Sequence, residues 1–216
     1  MRQLSPQLRP AYEDYKYLLD RGYNRKPALD LVSARYGLSG EERLLLYRCV
    51  HSEAELREIL SKLVEEPKRV AVDGYNIALT MISLTSGEAF ECDDGFFRDV
   101  NLGKRKGDNR VLESLIEACN FLISKGIEPL FLLDYQISGS GELAAELRKE
   151  GCNAVAVRNA DKESIMSAEA VASNDFVVLM RAKVIYNLLK AMGFRAENLA
   201  SILGVKRDTL SRSLSY

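Results

Sequence analysis

The first 68 residues carry apolar side chains at helical spacing, with polar residues and glycines where helices would begin and end. The stretch AYEDYKYLLDRG places its tyrosines and leucines on one face and closes at Gly22, a residue type that commonly ends helices. Ser39 and Ser52 are each followed three residues later by a glutamate, the pattern of a capping box at a helix start. We therefore predict an all-α N-terminal domain over residues 1–68.

A candidate helix-turn-helix lies within this domain. The stretch ALDLVSARYGLSGEERLLLYR predicts two helices joined by a short turn. DNA-binding proteins use this arrangement, but helical pairs joined in this way are more often plain packing modules. The sequence therefore favours packing over DNA recognition for this pair.

After Pro67 the pattern changes to short apolar runs that alternate with longer amphipathic stretches. The runs predicted as strands are RVAVD, PLFLLD, NAVAV and FVVLM, and the stretches predicted as helices are IALTMISL, VLESLIEACNFLISKG, SGSGELAAELRKEG, DKESIMSAEAVAS and AKVIYNLLKAMG. Strands that alternate with helices indicate a parallel sheet flanked by helices. The predicted fold class is α/β over residues 69–193, followed by a C-terminal tail over residues 194–216.

Two parts of the α/β region leave alternatives open. The strand predicted at FVVLM comes directly after Asp175, whereas a strand beginning at Ala170 would place Asp175 in the turn that follows it. The irregular stretch from Gly87 to Arg110 alternates aromatic and polar residues. For this second stretch we predict a β-hairpin or a long loop, a kind of connection that often carries function.

Composition and charge narrow the class of protein. Hydrophobic residues make up 47% of the 216 residues and charged residues 28%, as in ordinary globular proteins. The net charge of −1 conceals a charge of −8 over residues 70–180 and of +5 over residues 181–216. This distribution suits a protein that holds cations centrally and a polyanion at its edges, or one that has a solvated acidic surface.

Cysteine usage and hydropathy bear on location. The four cysteines are scattered and only one histidine is present, so a Cys/His zinc site is not expected and reduced cytosolic thiols are. The N-terminus lacks the apolar core of a signal peptide, and no apolar run approaches the roughly 18 residues of a membrane span. We therefore expect a cytoplasmic protein that makes no membrane contact.

Aspartates stand where predicted strands end. Asp73 and Asp134 each close an apolar run, so a parallel sheet would bring them to one edge. Asp161 opens a helix after NAVAV, and Asp175 joins the same edge if its strand begins at Ala170. Carboxylates that converge there could hold Mg²⁺ or Mn²⁺, which prefer hard oxygen ligands. The alternative is that these aspartates only cap helices.

These residues carry a resemblance to a known group of enzymes. AVDGYNIAL resembles the first motif of the PIN/NYN group of metal-dependent ribonucleases, an apolar strand followed by D-x-x-N, through Asp73 and Asn76. VASNDFVVL resembles a later motif of that group through Ser173 and Asp175, and DKESIMSAEAVA resembles its intervening acid-plus-helix segment through Asp161. The N-terminal region resembles the small helical domain of an uncharacterised family that joins such a module to a PIN-like domain.

The resemblance implies a PIN-like, Rossmannoid sheet and metal-assisted hydrolysis of phosphodiester bonds. Asp73 and Asp175 would be metal ligands, and Asp161 and Asp134 would be ligands or would hold them in place. Asn76 would position a water or a phosphate oxygen. The cofactor would be Mg²⁺ or Mn²⁺.

One acid of the group's pattern is missing. The group has an acid on the helix after its first strand, whereas IALTMISLTS has none. Glu91, Asp94 and Glu113 are the candidates to replace it, and Asp94 is included among the predicted metal ligands.

Basic segments are the candidates for nucleic-acid binding. The loop LGKRKGDNR could hold a phosphate backbone, and LASILGVKRDTLSRSL has the spacing of a second helix-turn-helix. The predicted nucleic-acid-binding residues are Lys104, Arg105, Lys106, Arg110, Lys206, Arg207 and Arg212. The alternatives are a solvated turn for the loop and simple packing for the C-terminal helices.

Three functions are therefore considered. The first is a metal-dependent nuclease acting on RNA, or on DNA, as a monomer or a homodimer. The second is a non-catalytic nucleic-acid-binding or regulatory protein that uses the basic segments. The third is a phosphohydrolase with Asp73 as nucleophile, which ranks last because Tyr75 stands where a D-x-D motif would have its second acid.

Overall fold

The computed structural model describes residues 4–100 and 110–204, which divide into two compact units. The helical unit contains residues 4–60, 88–100 and 196–204, and the α/β unit contains residues 61–87 and 110–195. Residues 88–100 lie within the predicted α/β domain in sequence, yet they pack with the helical unit. Every helix in the described ranges is too short or too polar to cross a membrane.

Four helices open the helical unit, as the sequence pattern predicts. They are α1 (Leu8–Asp20), α2 (Arg25–Tyr36), α3 (Gly40–Cys49) and α4 (Glu53–Ser61). Both predicted capping boxes are confirmed, because the Ser39 and Ser52 hydroxyls each accept the backbone N–H three residues later at 3.2 Å and the two glutamates accept in return. The first turn of α3 is acidic, which disfavours contact with DNA phosphates and favours packing.

A β-hairpin completes this unit and confirms that prediction for the irregular stretch. Strands β2 (Ala89–Glu91) and β3 (Phe97–Asp99) pair antiparallel, and their flanking apolar residues join the core formed by α1, α2 and α3. In the C-terminal tail, a short helix (Leu199–Leu203) packs into the same core. The second helix predicted for the tail lies outside the described residues.

The α/β unit contains a parallel sheet flanked by helices, which confirms the predicted α/β class. Its strands are β1 (Arg69–Asp73), β4 (Glu128–Asp134), β5 (Ala154–Val157) and β6 (Ala170–Ala172), in the spatial order β5-β4-β1-β6. The flanking helices are α5 (Gly74–Thr85), α6 (Arg110–Ser124), α7 (Ser140–Lys149), α8 (Ala160–Ser167), α9 (Phe176–Arg181) and α10 (Leu188–Ala191); the helix of the tail is α11. Strands β1 and β4 are central and almost continuously apolar because both of their faces are covered.

The strand predicted at FVVLM is wrong, and the alternative is confirmed. These residues form α9, while the shorter run Ala170–Ala172 pairs with β1. The Asp175 carboxylate accepts the backbone N–H groups of Val177 and Val178 at 2.8 and 3.2 Å, which starts a helix where the sequence predicts a strand. A run of five apolar residues fits either structure, so this capping decides between them.

The closing helix predicted at AKVIYNLLKAMG is only partly present. Its first half is extended, because the Val171 N–H donates to Val184 O at 3.0 Å and the Ile185 N–H donates to Lys62 O at 2.8 Å. The chain therefore runs beside β6 before it turns into α10. Long-range backbone hydrogen bonds of this kind override local helix propensity.

The expectation of reduced thiols is wrong, because the structure joins the cysteines in two disulfides. Cys49 is bonded to Cys92 in the helical unit, and Cys119 is bonded to Cys152 in the α/β unit. The partners are 43 and 33 residues apart, so only the tertiary fold shows which cysteines meet.

Gly74 fits closely in the turn from β1 to α5, and we expect Gly74→Ala to lower the free energy of unfolding by about 1–3 kcal/mol. A Cβ there would lie 2.5 Å from Cδ2 of Leu133 and 3.1 Å from the carbonyl oxygen of Leu132. Gly141→Ala in α7 is the matched control, since a Cβ there meets nothing within 4 Å. Urea unfolding measures both variants, and a Gly74→Ala variant as stable as the control would contradict the prediction.

Candidate active site

The sheet has a topological switch point between β1 and β6. From β1 the chain moves to β4 and β5 on one side, and it then returns to place β6 on the other side. Open parallel sheets bind ligands at the carboxyl ends of the strands at such a point. Asp73 ends β1 and Ser173 follows β6, so both residues stand at this crevice.

Hydrogen bonds join the two loops at the switch point. The Ser173 hydroxyl donates to Oδ2 of Asp73 at 2.8 Å, and the backbone N–H of Asn174 donates to Oδ1 of Asn76 at 2.7 Å. The Asp175 N–H donates to the Ser173 hydroxyl at 3.1 Å. The two stretches that carry the sequence motifs are therefore in direct contact, and sequence reasoning missed the part played by Asn174.

Burial and charge repulsion together raise the pKa of two acids at this edge of the sheet, Asp73 and Asp161. Burial raises the pKa of Asp73 to about 7, the charges of Asp161 and Asp175 add to the increase, and the Ser173 hydrogen bond opposes it. Asp161 is exposed as a residue, but partial burial of its carboxyl and the charges of Asp175 and Asp134 raise its pKa. Asp161 thus interacts electrostatically with each of the other three predicted aspartates, and Asp73 also interacts with Asp175.

Capping explains part of this arrangement. Asp175 caps α9 through Oδ1, and Oδ1 of Asp134 accepts the N–H of Gln136 at 2.9 Å within a turn. For Asp161 capping is wrong, because Asn159 caps α8 by accepting the N–H of Lys162 at 2.8 Å. In the described ranges, no three of the edge acids bring ligand atoms within 4.8 Å of one another.

The candidates for the missing acid are divided between the two units. Asp94 belongs to the helical unit, where the Arg98 guanidinium binds both of its carboxylate oxygens at 2.9 and 2.5 Å. Glu91 belongs to the same unit, in β2. Glu113 is an exposed residue in the first turn of α6.

Most of the predicted nucleic-acid-binding residues cannot be placed. Arg110 is exposed and begins α6, whereas the others lie outside the described residues, namely Lys104, Arg105, Lys106, Lys206, Arg207 and Arg212. The structure does place exposed cations near the candidate site, with Arg158 directly after β5 and Lys162 in the first turn of α8. The signal that could have identified them is their place in the sequence, Arg158 directly after the predicted strand NAVAV and Lys162 at the start of the helix predicted next.

These features define a parallel α/β protein with an acidic site at its switch point, joined in sequence to a helical unit. Residues 7–62 match the family described as "Protein of unknown function (DUF434)", and residues 63–191 match "Domain of unknown function (DUF5616)". The chain is 33% identical over 190 residues to the uncharacterized protein MJ0935 of Methanocaldococcus jannaschii, which covers 82% of this chain and 90% of that protein. The chain therefore belongs to the family that combines these two domains. No solved structure matches it.

Proposed function

We propose that this protein is a PIN-like, metal-dependent nuclease that hydrolyses phosphodiester bonds, with RNA as the preferred substrate and DNA as the alternative. The observation that carries the proposal is the state of Asp73, a buried carboxylate at the switch point that is hydrogen-bonded to Ser173 and faces the charges of two further aspartates. Perturbed acids in such crevices are typical of functional sites. The proposal includes a cytoplasmic location, where RNA would be the substrate.

The edge acids fit Mg²⁺ or Mn²⁺ by donor type, since such an ion needs only one or two carboxylates together with waters and phosphate oxygens. Asp73, Asp161 and Asp175 offer hard carboxylate oxygens, and their mutual repulsion is relieved when a cation lies among them. Oδ2 of Asp175 is available for this role because the cap uses only Oδ1. When bound, such an ion stabilises charge on a phosphate and lowers the pKa of a water.

The remaining roles follow from hydrogen bonding. Ser173 orients the Asp73 carboxylate and favours its charged form. Asn76 uses its side-chain oxygen to hold the Asn174 N–H, so its amide NH₂ group is what can donate to a phosphate oxygen or a water. Arg158 and Lys162 would contact flanking phosphates, because both are exposed and follow β5.

Cleavage of end-labelled single-stranded RNA and of the matching DNA tests the proposal. We expect cleavage with Mn²⁺, none with EDTA, and loss of cleavage in Asp175→Asn, which removes a ligand charge but keeps a side chain able to cap α9. Glu117→Gln is the matched control, because this exposed acid lies in the same unit on α6 and should retain full activity. Cleavage that persists in EDTA, or that is equal in the two variants, would reject the assignment.

The second candidate is nucleic-acid binding without cleavage. It is favoured by the absence of an acid on α5 and by the spacing of the edge acids, which do not bring three ligand atoms together in the described part of the chain. It predicts salt-sensitive RNA binding that weakens in Arg158→Ala/Lys162→Ala or on truncation after Gly193, with no cleavage under any metal condition. Fluorescence anisotropy across a salt series measures this binding.

A further inference from the structure

A second cluster of chemically active side chains lies in the helical unit, away in sequence from the motifs of the sheet. It is formed by two short segments, residues 49–51 at the end of α3 and residues 92–94 after β2. The Asp93 N–H donates to the carbonyl oxygen of Cys49 at 3.2 Å, and the His51 N–H donates to Oδ2 of Asp93 at 2.8 Å. The two segments are therefore held side by side.

The imidazole of His51 is fixed by acids on both sides. Its Nδ1 lies 2.5 Å from Oδ1 of Asp93, and its Nε2 lies 3.9 Å from Oδ2 of Asp94. Among the described residues, these three form the one group of potential metal ligands whose donor atoms all lie within 4.8 Å of one another. A carboxylate on the far ring nitrogen is the usual means of orienting a metal-binding histidine.

The disulfide partners precede members of this group in sequence at matching spacing. Cys49 precedes His51 by two residues, and Cys92 precedes Asp94 by two residues. Val50 is extended (φ −115°, ψ 126°), so the side chains before and after it project toward the same side. Cys49 and Cys92 are buried with the cluster, and their bond occupies both sulfur atoms.

We propose that Cys49, His51, Cys92 and Asp94 form a zinc-type cation site that becomes available when the Cys49–Cys92 disulfide is reduced. A dithiol reductant gives two electrons and two protons to the disulfide and itself becomes a disulfide, and the two new thiols lose their protons when they bind the ion. Two thiolates, one imidazole and one carboxylate make the four-coordinate sulfur, nitrogen and oxygen set that Zn²⁺ accepts.

Charge balance favours a divalent ion once the two thiols have lost their protons in binding it. Arg98 is paired with Asp94 in this buried environment, and it alone cannot balance two added thiolates. A divalent ion brings the two positive charges that the thiolates require. Asp93 then acts as a positioning residue, because it holds the His51 ring through Nδ1.

The second disulfide provides a matched control within the same chain. Cys119 and Cys152 are also buried, but the group of potential metal ligands found in the described residues (His51, Asp93 and Asp94) adjoins Cys49 and Cys92 in sequence and not this pair. An effect of reduction that is common to any buried disulfide would change the reactivity of both cysteine pairs. Metal binding at the proposed site would change the reactivity of Cys49 and Cys92 alone.

Cobalt binding to the full chain tests the proposal, after reduction with dithiothreitol and its removal without oxygen. We expect one Co²⁺ per chain with a thiolate-to-cobalt charge-transfer band that Zn²⁺ abolishes, in the wild type and in Cys119→Ser/Cys152→Ser. The band should be absent from the oxidised protein and from Cys49→Ser/Cys92→Ser. In Asp93→Asn, affinity for Co²⁺ should fall about 10–100-fold with the band unchanged in position.

Alkylation of the reduced wild type provides a test that does not depend on a variant folding. Zn²⁺ should slow the reaction of iodoacetamide with Cys49 and Cys92 and leave that of Cys119 and Cys152 unchanged, as read by peptide mass spectrometry. Equal slowing of both pairs overturns the proposal. The absence of a cobalt charge-transfer band in the reduced wild type overturns it as well.

Discussion

Asp73→Asn is expected to raise the free energy of unfolding at pH 8 in EDTA by about 4 kcal/mol while it abolishes metal-dependent cleavage. Burial, assisted by Asp161 and Asp175, raises the pKa of Asp73 from the ordinary 3.8 to about 7 in the folded protein. Each pH unit of difference corresponds to about 1.4 kcal/mol, so about three units give the expected effect. Asparagine is neutral at every pH and can still accept the Ser173 hydrogen bond.

The sign of the pH dependence follows from the direction of the pKa shift. Below pH 4 the carboxyl is protonated in both the folded and unfolded states, and the stability linked to its neutral form is fully present. As pH rises from about 4 to about 7, the unfolded chain loses the proton first and this stability is lost. Urea unfolding in EDTA across this range should show the loss in the wild type and not in Asp73→Asn.

Ser173→Ala provides a control for this assignment. The hydrogen bond from Ser173 lowers the pKa of Asp73 in the folded protein, so its removal should extend the pH-dependent loss of stability to higher pH and make it larger. If Asp73→Asn is less stable than the wild type at pH 8, the charged Asp73 carboxylate does not destabilise the folded protein, and the assignment is contradicted.

The cost of burying the Asp73 charge also connects stability to the proposed metal. If a divalent ion binds the deprotonated Asp73, Mg²⁺ or Mn²⁺ should raise the thermal midpoint of the wild type more at pH 8 than at pH 5, and should have no such effect on Asp73→Asn. This measurement does not require a substrate. A midpoint that responds equally in both proteins would place the ion elsewhere.

Arg98→Ala is expected to lower the free energy of unfolding by about 3–5 kcal/mol, because it leaves a buried carboxylate without its partner. The Arg98 side chain is 7% exposed, and both carboxylate oxygens of Asp94 accept from it. Burial alone would raise the pKa of Asp94, but the charges of Arg98 and His51 hold it below its usual value. The stability that this pair contributes is present at neutral pH and is lost as pH falls through the range in which Asp94 is protonated.

Two control variants separate charge pairing from packing. Asp94→Asn/Arg98→Met removes both charges and should recover part of the loss, because no buried ion remains unpaired. Arg43→Ala breaks the exposed ion pair with Asp30 and should cost at most about 1 kcal/mol. If Arg98→Ala costs no more than Arg43→Ala in urea unfolding, the buried pair does not stabilise the helical unit.

The hydrophobic and polar pattern predicted the local elements of this protein well. The four N-terminal helices, both capping boxes and the strand that ends at Asp73 follow from interactions within a few residues of one another. Asp73 and Asp134 could be assigned to the same edge because parallel strands place their carboxyl ends together. This placement depends on a general property of parallel sheets and not on any particular contact between distant residues.

The wrong predictions have two causes. Some depend on contacts between residues far apart in sequence, and others concern a segment that could form either a helix or a strand. FVVLM is apolar enough for a strand, and the cap supplied by Asp175 makes it a helix. The disulfide partners and the His51–Asp93 pair are separated by 33 to 43 residues, a separation that no local pattern reports. The placement of the β2–β3 hairpin in the helical unit depends on burial of its apolar residues in a core formed mostly by α1, α2 and α3.

The helical start of the chain, the parallel α/β class of its middle and the acids at the ends of β1 and β4 could all be predicted from the sequence. Those features depend on periodicity, capping and strand ends, which are local. Only the tertiary structure decided that Ser173 orients Asp73, that Asn159 rather than Asp161 caps α8, and that His51 meets Asp93 beside a disulfide. These contacts form because packing brings together segments whose separation along the chain carries no information about their distance in space.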